Sequence, residues 1–344
     1  MKSRTKRRLT VTAIILAAVI AVYAIIALIP RPDNFKGENP MMKDSDMPIL
    51  IAHGGGNKEF PDNTLEAFYN AYDADPRVMM ETDVSITKDG VVILSHDTTI
   101  DRKTDKTGKI ADWNYSDLIA QRVNFGYTND TEDGVLVGER EIFKNRDGVA
   151  VKPTDVPNYE NAEGLKTRDS EVYLATTLEE LIVSFPENRI NVEIKQSGEL
   201  GIKAAEAVID LLEKHGAFDR VVLASFHPEI YNTFKDWQKS GAVPDSFMYS
   251  PGTNGAIKYY VLYLLGLDVF FRDGMCVFQL PTEEYGFKLA TARLVKNAHK
   301  HNLAVHFWTI NDPDEMRMLI EIEADGIMTD YPHRLKDVYA KYKD

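Results

Sequence analysis

Cysteine, basic charge and internal repetition are all scarce in this chain of 344 residues. Its one cysteine, Cys276, excludes an internal disulfide framework, and no neighbouring residue marks it as a nucleophile. Lys and Arg number 40 against 53 Asp and Glu, which gives a formal net charge of −13. This acidic balance argues against nucleic acid as a partner and against general attraction to anionic lipid. Cysteine usage and charge therefore favour neither a disulfide-rich nor a nucleic-acid-binding protein.

The first thirty residues depart from this acidic average. Residues 1–8 carry five basic side chains and no acid, and residues 9–29 are then uncharged. About 21 residues at about 1.5 Å rise each can cross the hydrocarbon layer of about 30 Å. A cleaved signal peptide is the alternative, but the end of the run, YAIIALIPRP, shows no clear small-x-small cleavage site. The pattern predicts an uncleaved single-pass anchor in the cell membrane, with a cytoplasmic N-terminus and an extracytoplasmic main domain.

The rest of the chain predicts a linker and one large domain. Residues 31–47 are polar and rich in Pro, Asp and Asn, which is typical of a tether. Residues 48–344 then alternate helical and strand patterns, apart from a region of about 122–173 with little periodicity. We interpret that region as an insertion at the end of the fold where ligands bind.

Eight strand-like runs are spaced along this domain. They end near His53, Glu81, Glu193, Phe226, Tyr249, Gln279, Trp308 and Thr329. Residues 91–94 form an additional β run outside this set. Eight strands that alternate with helices predict an α/β fold of the (β/α)8 TIM-barrel type, preceded by a transmembrane helix and interrupted by an inserted loop region.

Carboxylates occur in pairs at two of these strands. In VMMETDVSI, Glu81 and Asp83 lie two residues apart and therefore share one face of a strand. A solvated strand face is the simplest reading of this pair alone. Glu193 and Lys195 repeat the spacing in INVEIK. Together the three carboxylates predict a site for one hard divalent cation, Ca²⁺ or Mg²⁺, with an ammonium group beside it.

Two histidines also follow strand-like runs, and each alone is more often structural than functional. His53 opens the HGGG stretch and His96 follows VVIL. Because parallel α/β folds bind ligands at the carboxyl ends of their strands, the histidines and carboxylates are predicted to meet in one site. Phe226, Tyr249 and Trp308 also end strands, where they can line a substrate pocket or belong to the core.

The motifs together resemble a known family. In order they are HGG, PDNT-LEAF, ETD, TKDGVV, SHD, NVEIK, SFH, FWTIN and GIMTDYP, and they span roughly residues 48–340. This series resembles the glycerophosphodiester phosphodiesterases, of the membrane-anchored bacterial type. The resemblance implies that His53 and His96 perform acid/base work and that Glu81, Asp83 and Glu193 bind the metal. It further implies a catalytic role for Lys195 and substrate contacts for Gly54, Asn63, Trp308 and Phe226.

Two positions depart from the family pattern. Gly54 stands where the family commonly has a phosphate-binding Arg, and Asp62 stands where it commonly has Glu. Glycine amides can form an anion-binding nest that partly replaces the guanidinium. The implied activity is metal-dependent hydrolysis of small glycerophosphodiesters to an alcohol and glycerol 3-phosphate.

Three alternatives stay open: a lysophospholipase D that acts on membrane lysolipids, a metal-independent barrel that resembles phospholipase C, and a binding protein without activity. The apolar run at residues 256–271 is either an ordinary barrel helix or an interfacial segment that touches the bilayer. The sequence makes no prediction of the oligomeric state.

Overall fold

The computed structural model describes residues 2–342, and their side chains from residue 7 onward. Most of the basic side chains on which the predicted membrane orientation rests therefore lie outside the described part of the chain. The strands are β1 Ile49–Ala52, β2 Met79–Ile86, β3 Val92–Leu94, β4 Thr131–Glu132, β5 Val135–Leu136, β6 Ile190–Ile194, β7 Val221–Ala224, β8 Met248–Tyr249, β9 Val277–Leu280, β10 Glu283–Glu284, β11 Phe287–Lys288, β12 Ala304–Phe307 and β13 Gly326–Thr329.

The α-helices are α1 Lys2–Leu28, α2 Leu65–Ala74, α3 Tyr115–Ala120, α4 Glu163–Lys166, α5 Leu178–Ser184, α6 Gly198–His215, α7 Pro228–Ser240, α8 Thr253–Leu264, α9 Ala292–His299, α10 Pro313–Glu321 and α11 Pro332–Tyr342. Predicted helices and strands are found throughout the domain, with ends that differ by a few residues. The N-cap of α2 is Thr64, whose side chain accepts a hydrogen bond from the Ala67 N–H.

Eight parallel strands form the barrel in the order β8, β7, β6, β2, β1, β13, β12, β9. The two ends of this path meet where the Cys276 N–H donates to the Tyr249 carbonyl oxygen at 3.1 Å. β3 pairs antiparallel with β2 and lies outside the ring, as predicted. Buried residues occupy every position of β2, because helices cover one face and the barrel interior lies on the other. The predicted (β/α)8 barrel is confirmed.

Residues 31–47 pack against the amino-terminal end of the barrel and do not extend away from it. Phe35 and Met41 are 4% and 0% exposed, and they join a small buried cluster with interior residues of the strands such as Ile51 and Val277. The buried His306 ring donates from Nε2 to the Met41 carbonyl oxygen at 2.8 Å. Phe35 and Met41 thus close the bottom of the barrel, and the role of residues 31–47 as a linker stays a prediction.

The inserted region folds over the opposite end of the barrel. It contains the short hairpin of β4 and β5, and the Arg146 N–H donates to the Lys58 carbonyl oxygen at 3.0 Å, close to the HGGG turn. The region thus lies on the side of the barrel to which the strands point. Its exact limits, 122–173, stay a prediction.

The N-terminal helix is largely exposed, and its last turns lie next to the barrel near Gly266. Among residues 2–342, Arg7–Leu28 is the helix that is long and apolar enough to cross a membrane, and none of its side chains is buried. A signal sequence near an N-terminus meets the same criteria.

Candidate active site

The carboxyl ends of β1, β2 and β6 bring the predicted site residues together. These strands are neighbours in the barrel, and the register pairs Asp83 with Glu193 directly. His53 follows β1 at once, whereas His96 follows β3, which β2 holds by antiparallel pairing. Strand pairing therefore places both histidines and all three carboxylates at one end of the barrel.

The carboxylates of Glu81, Asp83 and Glu193 form a compact cluster. Each offers an oxygen atom, and these atoms lie within 4.8 Å of one another. Burial and then the charge of Asp83 raise the pKa of Glu81 to about 8. Such mutual repulsion costs free energy unless a cation lies among the oxygen atoms. Three buried or half-buried oxygen donors without a thiolate or imidazole fit a hard divalent cation such as Ca²⁺ or Mg²⁺.

Lys195 lies beside this cluster. Its Nζ donates to Glu193 Oε1 at 2.9 Å and lies 3.6 Å from Asp83 Oδ1. Burial alone would lower the pKa of Lys195, but the charges of Asp83 and Glu193 raise it. The side chain therefore stays an ammonium ion at the edge of the carboxylate cluster.

His53 is held by its Nδ1 atom. Nδ1 lies 2.7 Å from Asp330 Oδ1 and 3.2 Å from Asn57 Nδ2, so Nε2 is left for a ligand. Burial would lower the pKa of His53, but the hydrogen bond to Asp330 and the charge of Glu81 raise it to about 9.

His96 is held in a similar way from the other side. Its Nδ1 lies 2.8 Å from Asp97 Oδ1, and its Nε2 lies 3.5 Å from Lys195 Nζ. The hydrogen bond to Asp97 raises the pKa of His96, and burial only partly opposes this. The side chain is half exposed, at 50%, which suits a group that exchanges protons with substrate and solvent.

A buried ionic network behind His96 escaped the sequence analysis. Arg102 Nε donates to Asp97 Oδ2 at 2.6 Å, and its two Nη atoms approach the Asp62 oxygen atoms at 3.3 and 3.2 Å. Lys103 Nζ adds a bond of 2.7 Å to Asp62 Oδ1. Burial would raise the pKa of Asp62, but both cations hold it well below its usual range. The adjacent Arg102 and Lys103 in the sequence gave no signal that they would converge on Asp62.

An Arg102→Lys variant should lose about 10–100-fold in kcat, because an ammonium ion keeps the charge but cannot bridge Asp97 and Asp62 at once. Arg102 would act here mainly as a positioning residue for His96, so kcat should fall by a larger factor than KM rises, although Arg102 also lines the second cavity. Steady-state kinetics on a glycerophosphodiester measures this, with Arg122→Lys as a control at the exposed pair with Asp169. Equal kcat values in the two variants would contradict a positioning role.

The glycine turn provides fewer free amides than the sequence suggested. Gly54 has φ +55°, and its N–H donates to Glu81 Oε2 at 2.8 Å. The Gly56 N–H donates to the His53 carbonyl oxygen at 2.8 Å. Two of the three glycine amides thus have acceptors within the protein, which argues against the predicted anion nest. A side chain at position 54 would also crowd Asp62, whose Cβ lies 3.0 Å from a Cβ at that position.

The remaining predicted site residues fall into two groups. Asn63 is buried and donates from Nδ2 to Asp83 Oδ2 at 3.1 Å, while its Oδ1 accepts from Thr82 Oγ1 at 2.7 Å, so it orients a carboxylate of the cluster. Phe226 and Trp308 meet edge to face with ring centroids 6.3 Å apart. Phe226 is 56% exposed, whereas Trp308 is half-buried and also packs against a buried cluster in the barrel; both line the same cavity.

Two adjoining cavities meet at the histidines. One, of about 260 Å³, is lined by the three carboxylates, Lys195 and the aromatic pair. The other, of about 380 Å³, is lined by Asp62, Arg102 and three residues of the inserted region, Thr128, Phe143 and Lys144. His53, Asp83 and His96 line both. A substrate can therefore place one of its two ends in each cavity, with its reacting atoms between the histidines.

Comparison with known proteins identifies the family. A family model described as the glycerophosphoryl diester phosphodiesterase family matches residues 53–334. A probable glycerophosphodiester phosphodiesterase 2 of Mycobacterium tuberculosis is 25% identical over 84% of this chain and 90% of its own. Lysophospholipase D GDPD1 of Mus musculus is 24% identical over 83% of this chain and 84% of its own.

Solved structures agree on the fold. The glycerophosphoryl diester phosphodiesterase domain of a Mycobacterium tuberculosis protein superposes with a TM-score of 0.62 at 18% identity, over 85% of this chain and 98% of that one. An Oleispira antarctica phosphodiesterase in complex with the product sn-glycerol-3-phosphate has a TM-score of 0.59 at 19% identity, over 86% and 97%. Because the family match runs from His53 to the last barrel helix and takes in every residue of the cluster, the chain belongs to the glycerophosphoryl diester phosphodiesterase family and is a phosphodiester hydrolase.

Proposed function

We propose that this enzyme hydrolyses glycerophosphodiesters to an alcohol and glycerol 3-phosphate with the help of one divalent cation. The observation that carries the proposal is the carboxylate cluster with a histidine on each side and a lysine at its edge. Glycerophosphodiesters are the substrates named for the family, and the size of the two adjoining cavities supports a small phosphodiester held across them.

Glu81, Asp83 and Glu193 are proposed to hold the cation, which when bound neutralises phosphate charge and orients the nucleophile. One histidine of the pair His53 and His96 takes a proton from the attacking oxygen, and the other gives a proton to the leaving alkoxide. Lys195 stabilises the charge that develops on phosphate. Asp330 and Asp97 keep each imidazole oriented through Nδ1, so that Nε2 is the atom that exchanges the proton.

Of the substrate contacts, Trp308 and Phe226 are proposed to bind the part of the substrate nearest the cation, as both line that cavity. Gly54 and Asn63 line the second cavity. The Gly54 N–H and the Asn63 amide already donate hydrogen bonds to Glu81 and Asp83. We therefore propose that both residues influence substrate binding mainly by orienting those carboxylates.

Lysophospholipids are the second candidate substrates. Two observations favour them: several relatives are named lysophospholipase D, and the exposed aromatic side chain of Phe226 borders the site. A metal-independent reaction of the phospholipase C type is less favoured, because the carboxylate cluster is costly to maintain unless a cation binds it.

We further propose that residues 1–30 form a cytoplasmic tail and membrane anchor, that 31–47 join it to the barrel, and that 48–344 form the hydrolase domain outside the cytoplasm. The length and apolar character of the N-terminal helix support the anchor. The basic residues before it support the orientation.

Release of glycerol 3-phosphate from glycerophosphodiesters by the full-length chain in detergent tests this function. The full chain is preferable to a fragment from Asp44 onward, because that fragment would lack the buried Phe35 and Met41. Release should stop with a chelator and return with Ca²⁺ or Mg²⁺, and the more effective ion identifies the preferred cation. Undiminished release under chelation would contradict the metal-dependent mechanism.

A further inference from the structure

The outward face of α8 is largely apolar, although it also carries the exposed Lys258, and it differs in this from the outward face of α6. Ile257, Val261 and Leu264 are 52%, 47% and 56% exposed, and their spacing places them on one side of the helix. The opposite side packs into the protein through buried residues such as Tyr259 and Tyr263. In α6, by comparison, every exposed position after Gly198 is charged: Glu199, Lys203, Glu206, Asp210, Glu213 and Lys214. A helix that is largely apolar on both faces is expected to contact a second apolar environment on the face that points away from the core.

The apolar surface continues after the C-terminus of α8 and beside the helix. After its C-terminus, Leu265 and Phe270 are 51% and 59% exposed. Beside it, Tyr260 contacts Phe287 of the β10–β11 hairpin with ring centroids 6.1 Å apart, and Phe287 is itself 56% exposed. We call this surface the α8 flank: Ile257, Val261, Leu264, Leu265, Phe270 and Phe287. Exposed apolar patches of this extent mark interaction surfaces.

The α8 flank runs along the full height of the barrel. α8 starts just after the carboxyl end of β8 and ends near the amino end of β9, so it descends from the active-site end to the opposite end. The β10–β11 hairpin directly follows the carboxyl end of β9 and therefore lies at the active-site end. The flank thus connects the rim of the active site with the bottom of the barrel.

The N-terminal helix ends at the lower end of this flank. Gly266 faces Tyr23, whose Cε1 would lie 3.7 Å from a Cβ at the glycine. Three residues after the helix, Arg31 pairs with Asp268 through Nε at 2.9 Å and Nη2 at 3.3 Å. The Arg31 Nη1 also donates to the Ile29 carbonyl oxygen at 3.1 Å.

This attachment is rigid because Asp268 is buried and fully engaged. It is 2% exposed, and it also contacts Asn297 Nδ2 at 3.2 Å and His301 Nε2 at 3.1 Å. A two-point guanidinium–carboxylate pair of this kind fixes direction as well as distance. The point where the chain would leave a bilayer is therefore fixed next to Leu265 and Phe270.

We propose that the α8 flank lies on the lipid bilayer surface, alongside the N-terminal anchor. The barrel then rests on its side with the β10–β11 hairpin at the level of the lipid head groups, and the active site opens along the membrane. The inference rests on the proposed function and deepens it: the preferred substrates are phosphodiester lipids that reside in the membrane, such as lysophospholipids. The continuity of the flank with the anchor distinguishes the bilayer from a second copy of the chain as the occupant.

Site-specific fluorescence on the full-length protein in vesicles tests the proposal. The native Cys276 is 0% exposed, and burial raises the pKa of its thiol, so it will not compete for labelling under native conditions. Leu264→Cys and Phe287→Cys would carry an environment-sensitive dye, with Val183→Cys as the matched control. Val183 is equally exposed, at 58%, and lies on α5 at another side of the barrel.

Spin-labelled phosphatidylcholine in the vesicles should quench the dyes at positions 264 and 287 at least about threefold more than the dye at 183, because an interfacial face enters the bilayer by about 5–10 Å. Equal quenching at all three positions would overturn the proposal. The proposal would also be overturned if the dye at position 264 were shielded from water, were not quenched by the spin-labelled lipid, and lost its shielding when the protein was diluted in the membrane. That result would show that a second copy of the chain covers the flank.

A variant tests the consequence for substrate choice. Val261→Gln with Leu264→Gln should reduce hydrolysis of lysophospholipid embedded in vesicles at least about fivefold, yet leave hydrolysis of a soluble glycerophosphodiester unchanged, since neither residue lines the active site. Val183→Gln should affect neither rate. If the Val261→Gln, Leu264→Gln variant hydrolysed each substrate at the wild-type rate, the lipid-facing role of the flank would be contradicted. If the wild type hydrolysed neither substrate, the proposed function would fail while the quenching result still decided where the flank lies.

Discussion

An Asp83→Asn variant should lose cation binding and turnover together while the cation-free protein becomes no less stable. Asp83 lies in the middle of the cluster: it faces Glu193 across the strand register, shares a face of β2 with Glu81, and accepts from Asn63. The amide removes one of three negative ligands for the cation, and we expect kcat/KM to fall at least about 100-fold.

The substitution affects the stability of the cation-free protein and the binding of the cation in different directions. In the absence of a cation, burial and the charge of Asp83 raise the pKa of Glu81, so neutralising Asp83 relieves a repulsion that offsets the lost attraction to Lys195. With a cation present, the same change removes an attractive ligand. The wild-type melting temperature should therefore rise when Ca²⁺ or Mg²⁺ is added, and this rise should shrink or vanish in the variant.

Thermal unfolding and isothermal calorimetry, each with and without the cation, measure the outcome. Asp236→Asn is the control, because Asp236 is an exposed carboxylate on α7 far along the barrel from the cluster. A variant that retained the full thermal shift would show that the cation binds elsewhere, and the role proposed for the cluster would then fail.

The barrel and the cluster were predictable from the sequence because both depend on local periodicity. Glu81 and Asp83 share a strand face by spacing alone, and a parallel barrel brings the ends of its strands to one rim. Residue spacing along a regular strand or helix therefore predicts which side chains share a face.

The features that escaped prediction depend on contacts between distant residues. Phe35 and Met41 lie in a polar stretch without helical or strand periodicity, so nothing in residues 31–47 signalled that they would close the barrel. Asp62 meets Arg102 and Lys103 from 40 and 41 residues away. That network places the Arg102 guanidinium at the rim of the site, whereas position 54 carries no guanidinium. Arg102 contacts Asp97, and Asp97 in turn contacts His96.

Replacing either histidine with alanine should lower kcat at least about 100-fold, which is the usual contribution of a positioned acid or base. His53 and His96 each present Nε2 toward the cavities while Nδ1 is held by Asp330 or Asp97. Neither imidazole belongs to the carboxylate cluster, so calorimetry should find cation binding within about threefold of wild type. His215→Ala is the control, because that imidazole pairs with Glu179 away from the site.

The pH profiles of the same variants assign the acid and the base. A general acid must be protonated to act, so its loss removes the alkaline fall in kcat, whereas loss of the base removes the acidic fall. The hydrogen bond to Asp330 and the charge of Glu81 outweigh burial and raise the pKa of His53 to about 9 in the cation-free protein, so it is protonated at neutral pH. A bound cation offsets the charge of Glu81 and moves this pKa downward, so an alkaline limit below about 9 that disappears in His53→Ala would identify His53 as the acid. Turnover at the wild-type rate in both alanine variants would instead exclude acid/base catalysis by this pair.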